Sequence, residues 1–219
     1  MKVGTDGVLL GSWALISAKA ERILDIGTGT GLIALMMAQR SAAKVIDAVE
    51  LNKEAYQQAA ENFKESNWSG RLSCCHLSFQ EFSKEMEGSY DLIVSNPPFH
   101  ISTQKTVLED RGMARHSDYL PFNELLLGVA KLLNKNGSCA FIIPFTEQDN
   151  FIVLAEKKDL FPSKITHVKG NNESPIKRSL LQFSFVKNEI LKKELVIENS
   201  RHIYTKDYIE LVKDFYLKM

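Results

Sequence analysis

Between residues 22 and 40 the chain passes from an apolar stretch, Arg22-Ile23-Leu24-Asp25-Ile26, through Gly27-Thr28-Gly29-Thr30-Gly31, into the helix-forming run Leu32–Arg40. A strand, a glycine turn and a helix in that order leave few folds open. Glycine tolerates positive φ and lets the backbone approach a ligand closely, and the unit starts an open α/β sheet whose ligands sit at the C-terminal ends of the strands. A dinucleotide loop would be spaced G-x-G-x-x-G, with a pyrophosphate on the helix N-terminus. Here the spacing is G-x-G-x-G, and Asp25 stands two residues before the first glycine. That acid would repel a pyrophosphate.

An acid in that place suits a cationic amino-acid group, and a ligand with an ammonium and a sulfonium, S-adenosylmethionine, fits it. Asp25, Gly27, Thr28 and Gly29 are therefore candidate cofactor contacts. The next strand, 43–49, ends at Glu50, where a carboxylate can accept both ribose hydroxyls, with Leu51 beside it. Asp47 is the competing acid, but it lies within the strand, where a structural role fits better. Asn52 reads as the N-cap of a following helix. A third strand, 72–77, runs into Ser78 and Phe79, which flank the adenine in a site of this class.

A fourth apolar run, Tyr90–Ser95, ends at Asn96-Pro97-Pro98-Phe99. Each proline fixes φ, lacks an N–H and pushes the residue before it out of the helical region, so this is a stiff, extended turn. The Asn96 side-chain carbonyl and the Pro97 backbone carbonyl can accept the two protons of an exocyclic amine, and Phe99 can stack on a planar base. Asn96, Pro97, Pro98 and Phe99 are the candidate catalytic residues, with Asn96 also at the edge of the cofactor. One such loop is an ordinary turn; four in order after consecutive strands are a joint signal.

Together, Asp25 to Gly31, Glu50 and Asn96-Pro97-Pro98-Phe99 resemble the class I S-adenosylmethionine-dependent amino-methyltransferases. The opening Lys2-Val3-Gly4-Thr5-Asp6-Gly7-Val8-Leu9-Leu10-Gly11-Ser12-Trp13-Ala14 narrows the resemblance to the bacterial tRNA(Val) adenine-N6-methyltransferase family. Ala114-Arg115-His116, Lys177-Arg178-Ser179-Leu180-Leu181 and the tail from Ile203 to Leu217 are similar to that family as well. The resemblance implies N6-methylation of the adenosine just 3′ of the anticodon, with S-adenosylmethionine as cofactor and tRNA as partner. It also implies that Thr5 and Asp6, in a loop between Gly4 and Gly7, close over the amino-acid end of the cofactor. Family members have a further stretch before this segment, and often an aspartate where Ser78 stands.

The expected fold is a Rossmann-like class I methyltransferase domain: a mostly parallel seven-stranded sheet with helices on both faces and an antiparallel closing strand. A single domain is expected over 1–219, with 1–14 a cofactor-capping lead-in, 15–187 the catalytic core and 188–219 a C-terminal extension. After the Asn-Pro-Pro-Phe loop, the pattern predicts helices over 121–133 and 150–158. It predicts strands over 138–143, 165–169 and 180–187, then a strand-like run and an amphipathic helix from 194. No run is long and apolar enough to span a membrane, and nothing resembles a signal peptide. Cys74, Cys75 and Cys139 read as reduced core residues with no disulfide framework and no metal site, which places the protein in the cytoplasm.

The formal net charge is zero, which argues against nucleic-acid binding over the whole surface. Residues 164–187, however, carry Lys164, Lys169, Lys177, Arg178 and Lys187 against Glu173 alone. A local basic patch on a neutral protein suits a structured RNA engaged at one place. Arg115, Lys177 and Arg178 are the expected RNA contacts; His100 and His116 are expected to be solvated or structural. A protein glutamine-N5 methyltransferase acting on release factors is the rival enzyme, using the same turn on a carboxamide. A non-catalytic cofactor- or RNA-binding module is the rival outside catalysis. A monomer without membrane or metal partners is expected.

Overall fold

A computed structural model describes residues 4–85, 89–98 and 120–217. Among these residues the framework is a nine-stranded sheet. The first half alternates strand and helix: α1 (Thr5–Trp13), β1 (Arg22–Ile26), α2 (Leu32–Arg40), β2 (Val45–Glu50), α3 (Lys53–Glu65), β3 (Leu72–His76), α4 (Phe79–Glu85) and β4 (Tyr90–Ser95). The second half continues with α5 (Phe122–Leu132), β5 (Leu133–Pro144), α6 (Gln148–Glu156), β6 (Phe161–Asn171), β7 (Ile176–Ser184), β8 (Leu191–Ser200), β9 (Ile203–Tyr204) and α7 (Lys206–Val212). The strand order is β3-β2-β1-β4-β5-β7-β6-β8-β9. The first five strands are mutually parallel, and β7 runs antiparallel to both β5 and β6.

Side chains alternate between the two faces with the period of a strand. Ile23, Leu92, Val94, Ala140, Ile142 and Leu180 join α1, α2, α3 and α7 in one core. Leu24, Ile93, Phe141, Ile143 and Leu181 join α4, α5 and α6 in the other. Both faces of the central strands are buried, so these strands are near-continuous apolar runs rather than half-polar ones.

The class expected from sequence holds, but the sheet has nine strands instead of seven. β8 adds in parallel to β6, and β9 pairs antiparallel with β8. The strand-like run near 194 was visible in the sequence. Its place in the sheet was not, because Leu191 to Glu194 are exposed and mostly charged. Two expected boundaries also move. β5 starts at Leu133, and its register against β4 jumps from Tyr90↔Leu133 to Leu92↔Ser138, so Asn136-Gly137 lies within the irregular start of a strand. β6 and β7 reach the turn that joins them, where Asn171 Oδ1 accepts the N–H groups of Glu173 and Ser174 at 3.1 and 2.8 Å.

The largest difference is α1. Residues 5–13 form a helix although Gly7 and Gly11 lower its intrinsic propensity. Close packing outweighs that loss: a Cβ on Gly11 would stand 2.5 Å from Met36 Sδ of α2. Residues 7–13 are all buried. Among the described residues no helix is long and apolar enough to cross a membrane.

Candidate active site

The strand order reverses direction between β1 and β4, and connections leaving these strands part to opposite faces. Open sheets hold their ligands in the crevice made there. Here that crevice is a cavity of about 520 Å³, lined by residues 26–30 after β1, Val49 to Asn52 after β2, Leu77, Phe79 and Gln80 after β3, and Ser95 to Pro98 after β4. Gly4 and Gly7 of the N-terminal segment, Leu32 and Ile33 of α2, and Leu120 complete the wall.

The glycine loop is fixed from several sides. Gly27 and Thr28 donate to the Val49 carbonyl at 2.8 and 3.2 Å, and Asn62 Nδ2 of α3 donates to the Thr30 carbonyl at 2.8 Å. Gly27 has φ 67°, and no described residue lies within 4 Å of where a Cβ would stand. Gly31 has φ 87°, and a Cβ there would lie 2.5 Å from the Phe63 ring. One glycine leaves room beside the cavity and the other lets a helix close in from behind.

Glu50 faces the cavity with half its capacity already used. Its Oε2 accepts the Gly29 N–H and its Oε1 the Asn52 N–H, both at 2.8 Å. A carboxylate has about four lone-pair sites, so one on each oxygen remains for a pair of vicinal hydroxyls. Asn52 Oδ1 caps α3 by accepting from Ala55 N at 3.0 Å. Leu51, 39 % exposed, lies beside it in the cavity wall. Asp47 is occupied by Arg22, Ser73 and Tyr90.

Asp25 is buried and does not line the cavity. Its Oδ2 accepts from Thr28 Oγ1 at 2.6 Å and from Ala34 N at 3.1 Å, so it joins the loop to the first turn of α2. Its Oδ1 is buried without a hydrogen-bond partner among the described residues. Burial pushes the carboxyl up to about 7, helped by the nearby Glu50 and opposed by the bonds from Thr28 and Ala34.

Other expected contacts divide. Phe79 is in the cavity wall and also buried in the α4–α5 core. Ser78 is outside the wall. It forms a capping box with Glu81: Ser78 Oγ donates to Glu81 Oε2 at 2.6 Å and accepts from Glu81 N at 3.2 Å. The spacing Ser-x-x-Glu announces this at the sequence level. Gln80, Leu77 and Asn52 line the cavity as well; the sequence marks Asn52 as a helix cap but none of the three as a cavity residue, and Gln80 is held by a 2.9 Å bond from Nε2 to Glu124 Oε2.

Thr5 and Asp6 sit in the first turn of α1 rather than in a loop, and their glycine neighbours line the cavity in their place. Asp6 turns instead to Arg178 of β7, with Nε to Oδ2 at 2.8 Å. Arg178 thus ties β7 to the start of α1. Lys177 is exposed beside it.

At the end of β4, Ser95 Oγ donates to the Ile26 carbonyl at 2.8 Å, pinning β4 to β1 where the two loops diverge. Asn96 is half-buried, Pro97 buried and Pro98 exposed, all three in the cavity wall. Phe99, His100, Arg115 and His116 lie outside the described residues. Among the described residues no three His, Cys, Asp or Glu side chains gather as a metal site requires.

The basic stretch 164–187 is not one patch. Lys164 and Lys187 sit toward the far end of the sheet, Lys164 over the Trp13 ring at 4.1 Å and Lys187 over Phe161 at 5.7 Å. Lys169, Lys177 and Arg178 are near the cavity end, where β6 and β7 approach their turn. Of these, Lys169 pairs with Glu194 at 3.1 Å.

Residues 6–142 match the family described as the methyltransferase small domain. The chain is 54 % identical over 221 residues to a tRNA1(Val) (adenine(37)-N6)-methyltransferase of Christiangramia forsetii, covering all of this chain and 92 % of that protein. It is 55 % identical over 222 residues to one of Flavobacterium johnsoniae, covering all of this chain and 94 % of that protein. Among solved structures it is similar to a predicted O-methyltransferase from Agrobacterium tumefaciens, with a TM-score of 0.74, 15 % identity, and coverage of 95 % of this chain and 96 % of that one. A ribosomal protein L11 methylase from Lactobacillus delbrueckii subsp. bulgaricus follows at TM-score 0.58 and 18 % identity, covering 83 % and 77 %.

Proposed function

The chain belongs to the methyltransferase small-domain family and, within it, to the tRNA1(Val) (adenine(37)-N6)-methyltransferases, and from this membership we infer that it methylates N6 of adenosine 37 in valine tRNA. It is an enzyme that uses S-adenosylmethionine. Its place of action on this reading is the cytoplasm, where tRNA is modified.

The residues present fit that cofactor. Among the described residues Glu50 uses two of its four or so acceptor sites, which leaves capacity for a ribose diol, Gly27 leaves open space, and Asp25 is buried at the base of the loop with its Oδ1 unpartnered. When bound, S-adenosylmethionine supplies an electrophilic methyl group on a cationic sulfur.

The observation that carries the reading is Asn96-Pro97-Pro98 on the cavity rim, at the crevice between β1 and β4. Adenine N6 is a weak nucleophile because its lone pair is delocalised into the ring. Asn96 Oδ1 and the Pro97 carbonyl are assigned the two amino protons, which favours a pyramidal nitrogen and aims its lone pair. Proline suits this work: its fixed φ pre-sets the carbonyl, and it has no N–H to compete. Orientation of this kind supplies about 7–11 kcal/mol in favourable cases, and fixed dipoles stabilise the charge that develops on nitrogen. The methylated nitrogen then loses one proton to a neighbouring acceptor or to water. The base reaches the rim only after leaving its stack, as in other enzymes that act on a base. Phe99 is proposed to stack on it there.

The test is mass analysis of nucleosides from valine tRNA, release-factor protein and free adenosine, each incubated with the protein and labelled S-adenosylmethionine. N6-methyladenosine in the tRNA alone is the expected result. Label in the protein substrate alone would replace the RNA reading with the glutamine one.

A further inference from the structure

Phe145, the first residue beyond β5, is 36 % exposed. Its ring meets His167 of β6 edge-on, with centroids 5.1 Å apart and planes at 81°. The imidazole is itself fixed: Nε2 lies 2.8 Å from Gln148 Oε1, and Ser179 Oγ donates to that same oxygen at 2.8 Å. An amide oxygen only accepts, so Nε2 is the protonated nitrogen. Burial holds His167 below its ordinary range, with Lys192 acting in the same direction against Glu194 and Asp149. A braced ring pair is thus presented to solvent.

Its position matters more than its exposure. β5 runs parallel to β4 with Phe141 beside Ser95, the residue before Asn96, and continues to Pro144, so Phe145 opens a short 3-10 turn (Phe145–Glu147) past the same end of the sheet. From Phe141 to Pro144, at about 3.3 Å per residue, the strand advances about 10 Å. In the β5–β7 pairing Pro144 faces Arg178, and Phe145 and Lys177 are the residues that follow and precede that last pair on the two strands. Lys177 is exposed, while Arg178 is engaged by Asp6 and Lys169 by Glu194. The acids Glu147 and Asp149 follow Phe145 into α6, so the strand side, where Lys177 stands, is the favourable side for an anion. An aromatic face and a cation at neighbouring positions match one nucleotide, a base to stack and a phosphate to neutralise. Single-stranded loops are recognised in this manner.

We propose that Phe145, braced by His167, is the platform on which a base adjoining the target adenosine stacks, with Lys177 on its phosphate. This rests on the tRNA reading above. It gives the flipped adenosine a neighbour to be measured from: once the adjoining base is held, the target is delivered to Asn96.

The experiment uses the whole protein and valine tRNA carrying 5-iodouridine next to the target adenosine. On irradiation, the cross-linked peptide should contain Phe145, and the cross-link should vanish in Phe145→Ala. The same variant should raise KM for tRNA tenfold or more, in line with the usual loss of one stacked base, with its affinity for S-adenosylmethionine unchanged. Phe145→Trp should keep KM near that of the wild type. Lys177→Ala should reduce the salt dependence of tRNA binding by about one counterion. A cross-link elsewhere together with an unchanged KM in Phe145→Ala would overturn this inference and leave the enzyme's identity standing. A wild-type protein that methylates no tRNA would remove both.

Discussion

Replacing Asp25 by asparagine separates what burial does to this carboxyl from what hydrogen bonding does. One oxygen, Oδ2, takes both bonds, from Thr28 and Ala34, so an asparagine carbonyl placed there keeps them. The other position has no hydrogen-bond partner among the described residues in either case. The substitution therefore replaces a titratable group with one that does not ionise, and the cost of its buried, unpartnered NH2 is the same at every pH and cancels from a comparison between two pH values. Burial raises the carboxyl from 3.8 to about 7, a difference that corresponds to about 4 kcal/mol in favour of the protonated form. The folded protein holds this proton up to about pH 7, whereas the unfolded chain releases it near its ordinary value. Folding takes up a proton in that window, so the contribution is whole below the unfolded value and is lost as pH rises through the folded one. Asp25→Asn has no such loss. Between pH 5 and pH 8 its stability relative to the wild type should improve by about 2–3 kcal/mol, or about 5–10 °C in Tm for a chain of this size. Denaturant unfolding of the cofactor-free protein at the two pH values measures the gap. In addition, a cation bound beside the loop favours the ionised acid, so binding of S-adenosylmethionine to the wild type near pH 7 should release a proton. Calorimetry in buffers of different ionisation enthalpy detects that release, and Asp25→Asn should show none. If the stability gap is the same at pH 5 and pH 8, Asp25 is not held neutral by its surroundings and the reasoning is wrong.

Glu50→Ala should weaken S-adenosylmethionine by about 1–3 kcal/mol, the ordinary loss for a charged hydrogen-bond partner; calorimetry on a variant with native circular dichroism is the check, and unchanged affinity would remove Glu50 from the ribose site. Asn96→Ala should abolish methyl transfer while cofactor affinity stays nearly intact, because its contacts strengthen in the transition state; single-turnover rates beside equilibrium binding separate the two, and a loss confined to binding would count against the assigned role. Gly31→Ala should lower stability by about 2–4 kcal/mol, since it combines a left-handed φ with an overpacked ring. Denaturant midpoints test this, and a change under 1 kcal/mol would mean that Phe63 moves aside freely.

How far the sequence disclosed the molecule follows from the range of each signal. The strand–glycine–helix unit, Asn52 as a cap and the Asn-Pro-Pro turn after β4 depend on residues within one turn or one strand of each other, and the structure has all of them where the pattern put them. α1 did not show itself because its stability comes from contact with α2, where Gly11 against Met36 matters more than propensity. Ser78 is legible in its spacing too: Ser-x-x-Glu pairs it with Glu81 at the start of α4, and that capping role, not adenine contact, is what the structure gives it.

The basic stretch shows where linear reasoning about function breaks down. Residues 164–187 are one cluster in sequence, and β6 and β7 form a hairpin, so its two arms run from one end of the sheet to the other and back. Cations near the turn end up beside the cavity, and cations at the open ends of the hairpin end up against Trp13 and Phe161. Partners chosen by the fold then remove Lys169 and Arg178 from the count of exposed charge. Of this stretch, Lys177 remains exposed near the cavity, with Phe145 just past the end of the neighbouring strand. Affinity for RNA on this face must accordingly rest more on stacking than on charge, and its salt dependence should be shallow. A steep one, worth many phosphates, would require cations outside 164–187, such as Lys53, Lys105, Arg111 and Arg115, to carry most of the contact.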